Sequence, residues 1–259
     1  MHDPAGANWI GLWTLYMREV RRFSKVYTQT LLAPMVTTLL FLAVFTLALG
    51  KVAPTVGTHS FLEFLAPGLI IMSITQNSFA NTSSSLMSLK MQGSIVDTLM
   101  PPLTASELHL GFTMGGVTRG CVVGLTLALV MNVIVNLGLH NLSYIVFHAI
   151  MASMMLSQLG ILGAMWAEKW DHISGVTNFI ITPFAFLSGT FYSIQRLPEF
   201  AQIAAHFNPF FYMIDGFRYG FIGHADGNIM LGLLVMAVMN LALWIFCTHL
   251  FNSGYKLKA

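Results

Sequence analysis

The strongest constraint in this sequence is the length of its stretches without a charged side chain. Pairs of charged residues bracket four of them: Lys25 and Lys51, Glu63 and Lys90, Asp171 and Arg196, and Asp226 and Lys256. About 20 helical residues cross a hydrocarbon core of roughly 30 Å, and a charge at the centre of that core costs at least ~2.5 kcal/mol. Each stretch is therefore predicted to contain one transmembrane helix.

Two more helices are predicted between Arg119 and Glu168, where the charge-free run is long enough for most of two spans. The stretch NLGLHNLS, Asn136–Ser143, has the Gly and Asn residues typical of the turn between them. The chain is 56% hydrophobic and only 8% charged, whereas soluble domains carry about 25% charged residues. We predict a single all-α transmembrane domain over residues 1–259, with six spans and both termini on one side.

Basic residues are concentrated on the side of the predicted helices that carries both termini. That side has Arg18, Arg21, Arg22, Lys25, Lys90, Lys169, Lys256 and Lys258, and the other has Lys51, Arg196 and Arg218. Cytoplasmic loops of membrane proteins carry an excess of Lys and Arg. Both termini are therefore predicted to be cytoplasmic, and residues 188–222 are predicted to lie outside.

Two cytoplasmic segments are predicted to form short amphipathic helices. In residues 1–25, Thr14, Arg18, Arg21 and Lys25 recur at helical spacing opposite an aromatic and apolar face. That pattern is typical of a helix lying at the lipid interface near anionic head groups, although a simple positive anchor is the alternative.

In residues 90–103, a short helix can begin after Gly93 and Ser94 and must end at Pro101 and Pro102, because proline removes a donor and clashes with the previous turn. The following stretch from Thr104 to Glu107 predicts a capping box for the next span. A short helix held between such stops is suited to transmit a push to its flanking spans, although an ordinary loop is the alternative.

Residues 188–222 combine charged, aromatic and proline residues between the fifth and sixth predicted spans. Pro198 suits a helix start, Pro209 follows its predicted end, and a second helical run carries Asp215 and Arg218 as an i, i+3 pair. We predict an outer re-entrant helical hairpin whose charges reach toward the outer interface. This lid would be hinged at three residues, Gly189, Pro209 and Gly216.

Uncharged polar residues form stripes on two predicted spans. Those on the second span are Asn77, Asn81, Ser84, Ser85 and Ser88, and those on the fifth include Asn178 and Thr182. A polar stripe in a membrane faces other helices or water rather than lipid. The stripes are candidates for lining a substrate pathway, with polar contacts between packed helices, worth about 0.6 kcal/mol each, as the alternative.

Three stretches of this sequence resemble the ABC-2 type permeases, the membrane subunits of bacterial ABC exporters of nodulation factors, O-antigen, drugs or lipids. They are Gly93-Ser-Ile-Val-Asp97-Thr-Leu99 with Pro102 and Glu107, Leu187-Ser-Gly189-Thr-Phe-Tyr192 with Pro198, and Asn208-Pro209 with Asp215-Gly216-Phe-Arg218. The resemblance covers nearly the whole chain. It departs at Met91 and Gln92, where members often carry an acidic and a basic residue.

The resemblance implies a role for each segment. A coupling helix would contact an ATP-binding subunit through Gly93, Ser94, Ile95, Asp97, Leu99 and Pro102. An outer gate would include Gly189, Phe191, Tyr192, Pro198, Pro209, Asp215 and Arg218. Spans two and five would line the pathway of a homodimer in the cytoplasmic (inner) membrane, in contact with lipid.

Several chemistries lack their motifs in this sequence. No GxxxxGK[ST] loop is present, so a separate partner subunit would bind ATP and Mg²⁺. We predict no cofactor, metal site or catalytic residue in this chain, and no nucleic-acid partner. The predicted function is the permease subunit of an ATP-driven exporter of an amphipathic or lipid- or glycan-linked substrate. The alternative is a self-sufficient channel or secondary transporter, which usually needs acidic residues buried in its spans. The role of Arg119 inside the third span stays open.

Overall fold

The computed structural model describes residues 8–49, 55–56 and 59–256. These residues form eleven α-helices: α1 (Trp9–Ser24), α2 (Ala33–Leu49), α3 (Phe61–Met91), α4 (Ile95–Leu99), α5 (Ala105–Val135), α6 (Leu142–Trp166), α7 (Trp170–Val176), α8 (Thr182–Leu187), α9 (Glu199–His206), α10 (Pro209–Ile222) and α11 (Ile229–Ser253). Two short strands, β1 (Thr55–Val56) and β2 (His59–Ser60), pair antiparallel. The predicted all-helical class is confirmed.

Four helical segments in the described part of the chain are long and apolar enough to cross a membrane: Thr28–Ala48, α5, α6 and α11. The other two predicted spans correspond to α3 and to the segment α7–α8. The 31-residue α3 has the length but is diluted by its polar second half, and α7–α8 carries Asp171 and Asn178 among its apolar residues.

Local signals in the sequence account for most helix ends. Thr104 caps α5, and the Glu107 carboxylate accepts from the Thr104 N–H, so the predicted capping box is confirmed. Ser60 and Glu63 form a second capping box at the start of α3. The predicted turn between the third and fourth spans is also confirmed, because α5 ends with Asn136 in the left-handed region (φ 54°) and α6 begins at Leu142.

Two π-helical turns interrupt the peripheral helical segments. They cover Thr28–Leu32, before α2, and Thr177–Ile181, before α8. Pro34 and Pro183 follow them closely, and a proline has no N–H to donate to the carbonyl four residues earlier. That carbonyl lies within the π turn in both cases. The missing donor at each proline therefore accompanies a π turn just before it.

The core of the bundle is formed by α3, α5, α6, α10 and α11. Small residues let these helices approach closely. A Cβ added at Gly116 of α5 would meet Ser157 Oγ of α6 at 2.2 Å, and one at Gly120 would meet Ser78 Oγ of α3 at 2.0 Å. The helix α3 is buried along most of its length.

The chain has both described ends at the end of the bundle that carries α4, here called the α4 end. There the Lys90 ammonium donates to the carbonyls of Ala164, Met165 and Ala167 and so caps α6. Lys256 Nζ lies 2.9 Å from Glu168 Oε1. The hydrogen bond and charge of Lys256 lower the pKa of the exposed Glu168 carboxyl from its ordinary value.

The opposite end, here called the α9 end, holds the segment between α8 and α11. Asn141 N–H at the start of α6 donates to the Gly220 carbonyl of α10 at 2.8 Å. Arg196 Nη2 donates to the Thr55 carbonyl at 3.2 Å. The described residues that the sequence assigns to two sides of a membrane thus lie at two ends of one bundle, whereas Lys51 and Lys258 lie outside the described residues.

Candidate functional site

The helix α4 presents a small apolar surface with one acidic residue. Its residues Ile95 and Thr98 are buried, whereas Val96 is 50% exposed and Met100, just beyond its end, is 76% exposed. Asp97 is exposed between them. We call Val96, Asp97 and Met100 the α4 tip.

The structure divides the predicted coupling residues between the two faces of this segment. Gly93, Asp97 and Pro102 are exposed, Ser94 and Leu99 are half-buried, and Ile95 packs inward. Val96 and Met100 were not among the predicted residues, although they too are spaced i, i+4. In a helix of five residues, the Ile95–Leu99 and Val96–Met100 pairs have the same spacing, so periodicity alone could not tell the outer face from the inner one.

A charged cluster on α1 joins the α4 tip to the polar half of α3. Arg18 Nη1 donates to Thr98 Oγ1 of α4 at 2.9 Å, and Arg18 Nη2 lies 3.3 Å from Glu19 Oε1. Glu19 is fully buried and also contacts Arg22 at 3.3 Å. We call Arg18, Glu19 and Arg22 the α1 cluster. It is the part of α1 that touches both α4 and α3.

The α1 cluster holds α3 through the stripe of polar residues seen in the sequence. Ser85 Oγ donates to Glu19 Oε1 at 2.7 Å. Arg22 Nη2 donates to the Asn81 carbonyl at 2.7 Å and to Asn81 Oδ1 at 2.9 Å, and Arg22 Nη1 donates to Ser84 Oγ at 3.1 Å. Asn81, Ser84 and Ser85 therefore face α1, as the packing alternative for this stripe anticipates.

The buried face of α1 was missed in the sequence. The predicted helix is present, with Trp9 and Trp13 exposed. Leu15, Glu19 and Phe23 form a third face that is buried. A Cβ at Gly111 of α5 would meet Leu15, and one at Gly115 would meet Glu19 Cβ at 2.5 Å. The two helices therefore run side by side in the same direction, and the i, i+4, i+8 spacing of these three residues was the available signal.

The rest of the polar residues occupy different environments. Asn77 Oδ1 accepts from Arg119 Nη2 at 3.1 Å, and Ser88 is half-buried. On the segment α7–α8, Asn178 is exposed and Thr182 is half-buried. Within the described residues, neither of these two side chains hydrogen-bonds to α3.

At the α9 end, Arg218 of α10 anchors the segment between α8 and α11. Its side chain is 1% exposed. Nε donates to the Phe64 carbonyl at 3.1 Å, Nη2 donates to the Gly189 carbonyl at 2.7 Å, and the guanidinium lies 3.8 Å from the centre of the Phe64 ring. Arg218 thus ties α10 to α3 and to the loop after α8.

The sequence predicts Asp215 and Arg218 as an i, i+3 pair. Their charges attract each other, but no contact between them is among the ion pairs of the described residues. The Asp215 carboxylate instead accepts from the N–H groups of Asp226 at 2.8 Å and Gly227 at 3.0 Å. The prediction that the charges of this hairpin reach toward the outer interface is wrong for Asp215 and Arg218, whose side chains are buried and satisfied by backbone groups, whereas Glu199 is exposed. A sequence pattern at i, i+3 does not show that two side chains turn toward each other.

The remaining outer residues hold the loop between α8 and α10. Gly189 has φ 79°, which favours glycine. The Phe191 ring stacks on Phe45 of α2 at 4.5 Å, and Tyr192 is half-buried. Pro198 precedes α9 and Pro209 is the first residue of α10, so a helix begins at each of the two positions predicted from these prolines.

Gly216 is a packing residue within α10 and does not lie at a hinge. A Cβ there would meet His148 Nε2 of α6 at 2.0 Å. The hinge predicted at Gly216 is therefore wrong. The sequence could not distinguish the two roles, because a glycine in a helix marks either a break or a close contact.

Comparisons with known proteins decide the family. Residues 11–222 match the ABC-2 type transporter family. The chain belongs to this family. It is 33% identical over 251 residues to the inner membrane transport permease YadH of Escherichia coli (strain K12), an alignment that covers 97% of this chain and 98% of that protein.

Two further similar proteins carry another name. The chain is 23% identical over 232 residues to nodulation protein J of Neorhizobium galegae, covering 89% of this chain and 87% of that protein. It is 26% identical over 223 residues to nodulation protein J of Rhizobium leguminosarum bv. trifolii, covering 85% and 84%. The match to the ABC-2 type family covers residues 11–222, and this range contains the α1 cluster, the α4 tip and Arg218.

Proposed function

We propose that this chain is the permease subunit of an ATP-driven exporter, with ATP and Mg²⁺ bound by a separate subunit. It would move an amphipathic or lipid- or glycan-linked substrate outward across the inner membrane. The similarity to an inner membrane transport permease supports the location. The mild, uncharged polarity of Asn178 and Thr182 supports an amphipathic substrate, because small ions need fixed charges or rings of carbonyls.

The proposed topology has six spans and cytoplasmic termini. Besides the four apolar segments, α3 and α7–α8 run between the α4 end and the α9 end. The α4 end carries Lys90, Lys256 and the basic α1, and an excess of Lys and Arg favours the cytoplasmic side. The exposed Trp9 and Trp13 of α1 suit an interfacial position beside that end.

The observation that carries the proposal is the α4 tip with its link to α3. Val96 and Met100 are exposed apolar side chains at the proposed cytoplasmic end, where lipid does not cover them. A partner that contacts them would move α4, and the bonds Arg18–Thr98, Glu19–Ser85 and Arg22–Asn81 would pass that displacement to α3. This is the connection that an ATPase subunit needs in order to act on the membrane helices.

A homodimer is part of the proposal. The helix α2 and the segment α7–α8 have exposed apolar side chains, including Val36, Leu40 and Phe179. Six spans make half of the twelve that exporters of this kind commonly use. Two copies facing each other through α2 and the segment α7–α8 would enclose a pathway between them. Phe191 and the segment between α8 and α11 would lie above this pathway. The exposed apolar side chains of α2 and the segment α7–α8 would then face a second copy as well as lipid.

The alternative, a self-sufficient channel or secondary transporter, has one observation in its favour. Glu19 is a fully buried carboxylate, the kind of group that binds a proton or sodium ion. However, Arg18 and Arg22 both lie 3.3 Å from it and Ser85 donates to it. A carboxylate neutralised by two guanidinium groups is a structural ion pair, and the ATP-driven function is favoured.

The test is to replace Met100 by Asp and measure the ATPase activity that co-purifies with the tagged chain from its native membranes. An added charge on the exposed α4 tip should abolish that activity while leaving the monodisperse elution of the chain unchanged. Asn252→Asp adds the same charge at another exposed position of the α4 end and should have no effect.

Two results would contradict the proposal. One is equal ATPase recovery with Met100→Asp and with the parent chain. The other is solute transport by the purified chain alone in liposomes, driven by an ion gradient with no second protein present.

A further inference from the structure

A cavity of about 300 Å³ lies between α2, α3 and the middle of α5. One wall is α2, which packs loosely on the bundle. Only 11% of the residues in the apolar part of Thr28–Ala48 are buried. The π turn at Thr28–Leu32 contributes Gln29 to the lining. π turns within helices are frequent at functional sites. The cavity is therefore bordered by the part of the fold that is easiest to displace.

The polarity of the lining changes along the cavity. Toward the α4 end it has amide and cationic side chains, Gln76, Asn77 and Arg119. In the middle, the hydroxyls of Thr38 and Ser73 share a 2.8 Å hydrogen bond. Toward the α9 end the lining becomes apolar at Phe41 and Leu69. A ligand with one polar end and one apolar end matches this gradient, with its polar end beside Arg119.

The charge of Arg119 has no counter-ion in the described part of the chain. None of the ion pairs found there includes it. Its one hydrogen bond is from Nη2 to Asn77 Oδ1 at 3.1 Å, and its buried Nε has no acceptor. Arg119 as a whole is half-buried, and a buried donor without an acceptor is costly. An anion in the cavity would satisfy both the charge and the free Nε.

We propose that this cavity binds the anionic head group of an amphipathic molecule, a phosphate or carboxylate held by Arg119 with the apolar chain directed along Phe41 and Leu69. A guanidinium binds such oxyanions through two parallel N–H groups. The volume accommodates a head group and the first part of a chain, so the remainder of the chain leaves past α2 into lipid.

This site rests on the proposed function, because an exporter of amphipathic molecules needs a place for their charged end. Binding at equilibrium requires neither an ATPase subunit nor transport. A failed binding experiment would therefore remove the site and leave the exporter function standing, whereas loss of ATPase recruitment at the α4 tip would do the reverse.

The test uses the purified full chain in detergent, titrated with dilauroyl phosphatidic acid and followed by native mass spectrometry. The parent chain should bind one molecule in preference to dilauroyl glycerol, which lacks the phosphate. Arg119→Gln should weaken binding about 10- to 100-fold, the effect of losing hydrogen bonds to a charged group. Arg119→Lys should bind with an affinity between those of Arg119→Gln and the parent chain, because an ammonium keeps the charge but not the two parallel N–H groups. Arg21→Gln, at an exposed arginine, should retain the full affinity.

A second variant keeps the experiment decisive if Arg119→Gln does not fold. Ala33 lines the cavity and is exposed, so Ala33→Phe fills the space with little effect on the core and should also weaken binding. Equal affinity of either variant and the parent chain would overturn the proposal, as would equal binding of the neutral lipid. If inorganic phosphate bound as tightly as the phosphatidic acid, the proposal that the ligand is amphipathic would be overturned.

Discussion

Replacing Arg218 by Met should destabilise the protein by about 3 kcal/mol. The change removes hydrogen bonds of 3.1 and 2.7 Å to the Phe64 and Gly189 carbonyls and the contact of the guanidinium with the Phe64 ring at 3.8 Å. Hydrogen bonds to charged groups contribute about 1.5–3 kcal/mol each, and a desolvated cation–π contact contributes about 2 kcal/mol. The sum of ~5–8 kcal/mol is offset by several kcal/mol, because the guanidinium is no longer buried.

The measurement is the midpoint of thermal unfolding of the detergent-purified chain, followed by the loss of the monodisperse elution peak. At about 2–4 °C per kcal/mol for a chain of this size, the midpoint should fall by roughly 6–12 °C. Arg196→Met is the matched control, since its 3.2 Å bond to the Thr55 carbonyl is exposed. Exposed contacts of charged side chains contribute at most about 1 kcal/mol, so that midpoint should fall by less than about 4 °C.

The reasoning would be refuted if Arg218→Met unfolded within about 2 °C of the parent chain. It would equally be refuted if Arg196→Met lost as much stability, because the anchor would then owe nothing to burial. Arg218→Lys should lie between the two, since an ammonium keeps the charge but cannot reach both carbonyls in the geometry of a guanidinium.

Two further substitutions probe buried contacts by the same thermal measurement. Glu19→Gln should destabilise the protein by about 1–3 kcal/mol, which is less than for a fully buried pair, because the arginine partners of Glu19 are partly exposed. Glu199→Gln, at an exposed carboxylate, should change the stability little. Equal unfolding midpoints for the two variants would contradict the structural role of the α1 cluster. Gly216→Ala should destabilise by about 1–3 kcal/mol, because its Cβ would meet His148 at 2.0 Å, whereas Gly175→Ala enters open space and should be neutral or stabilising; a neutral Gly216→Ala would contradict the close packing of α10 on α6.

The sequence predicted those features that depend on neighbouring residues. The capping box at Thr104, the turn before Leu142 and the start of α10 at Pro209 each follow from a few residues in a row. The long charge-free stretches predicted where helices lie because the cost of a charge in a bilayer depends on composition. These predictions can be made without knowing which helices are in contact.

The contacts of charged side chains could not be predicted in the same way. The bond from Arg218 to Phe64 joins residues 154 positions apart, and nothing local to Arg218 points to that carbonyl. Asp215 at i−3 offered a closer partner by spacing, but its own carboxylate is occupied by the N–H groups of Asp226 and Gly227. Glu19 was missed for a related reason, since two flanking arginines make it resemble part of a solvated basic face.

The unequal packing of the helical segments has a consequence for the time scales of motion. In the apolar part of α6, 50% of the residues are buried, whereas 11% of the residues are buried in the apolar part of Thr28–Ala48. Displacing a rigid helix that buries so little breaks few contacts, and such rigid-body motions occur in microseconds to milliseconds. The frame of α3 and α6 can move only by disrupting the core, which is far slower. In the single chain, without the proposed second copy on α2, a spectroscopic probe on α2 should therefore report rapid exchange between orientations, while one on α6 reports a single orientation.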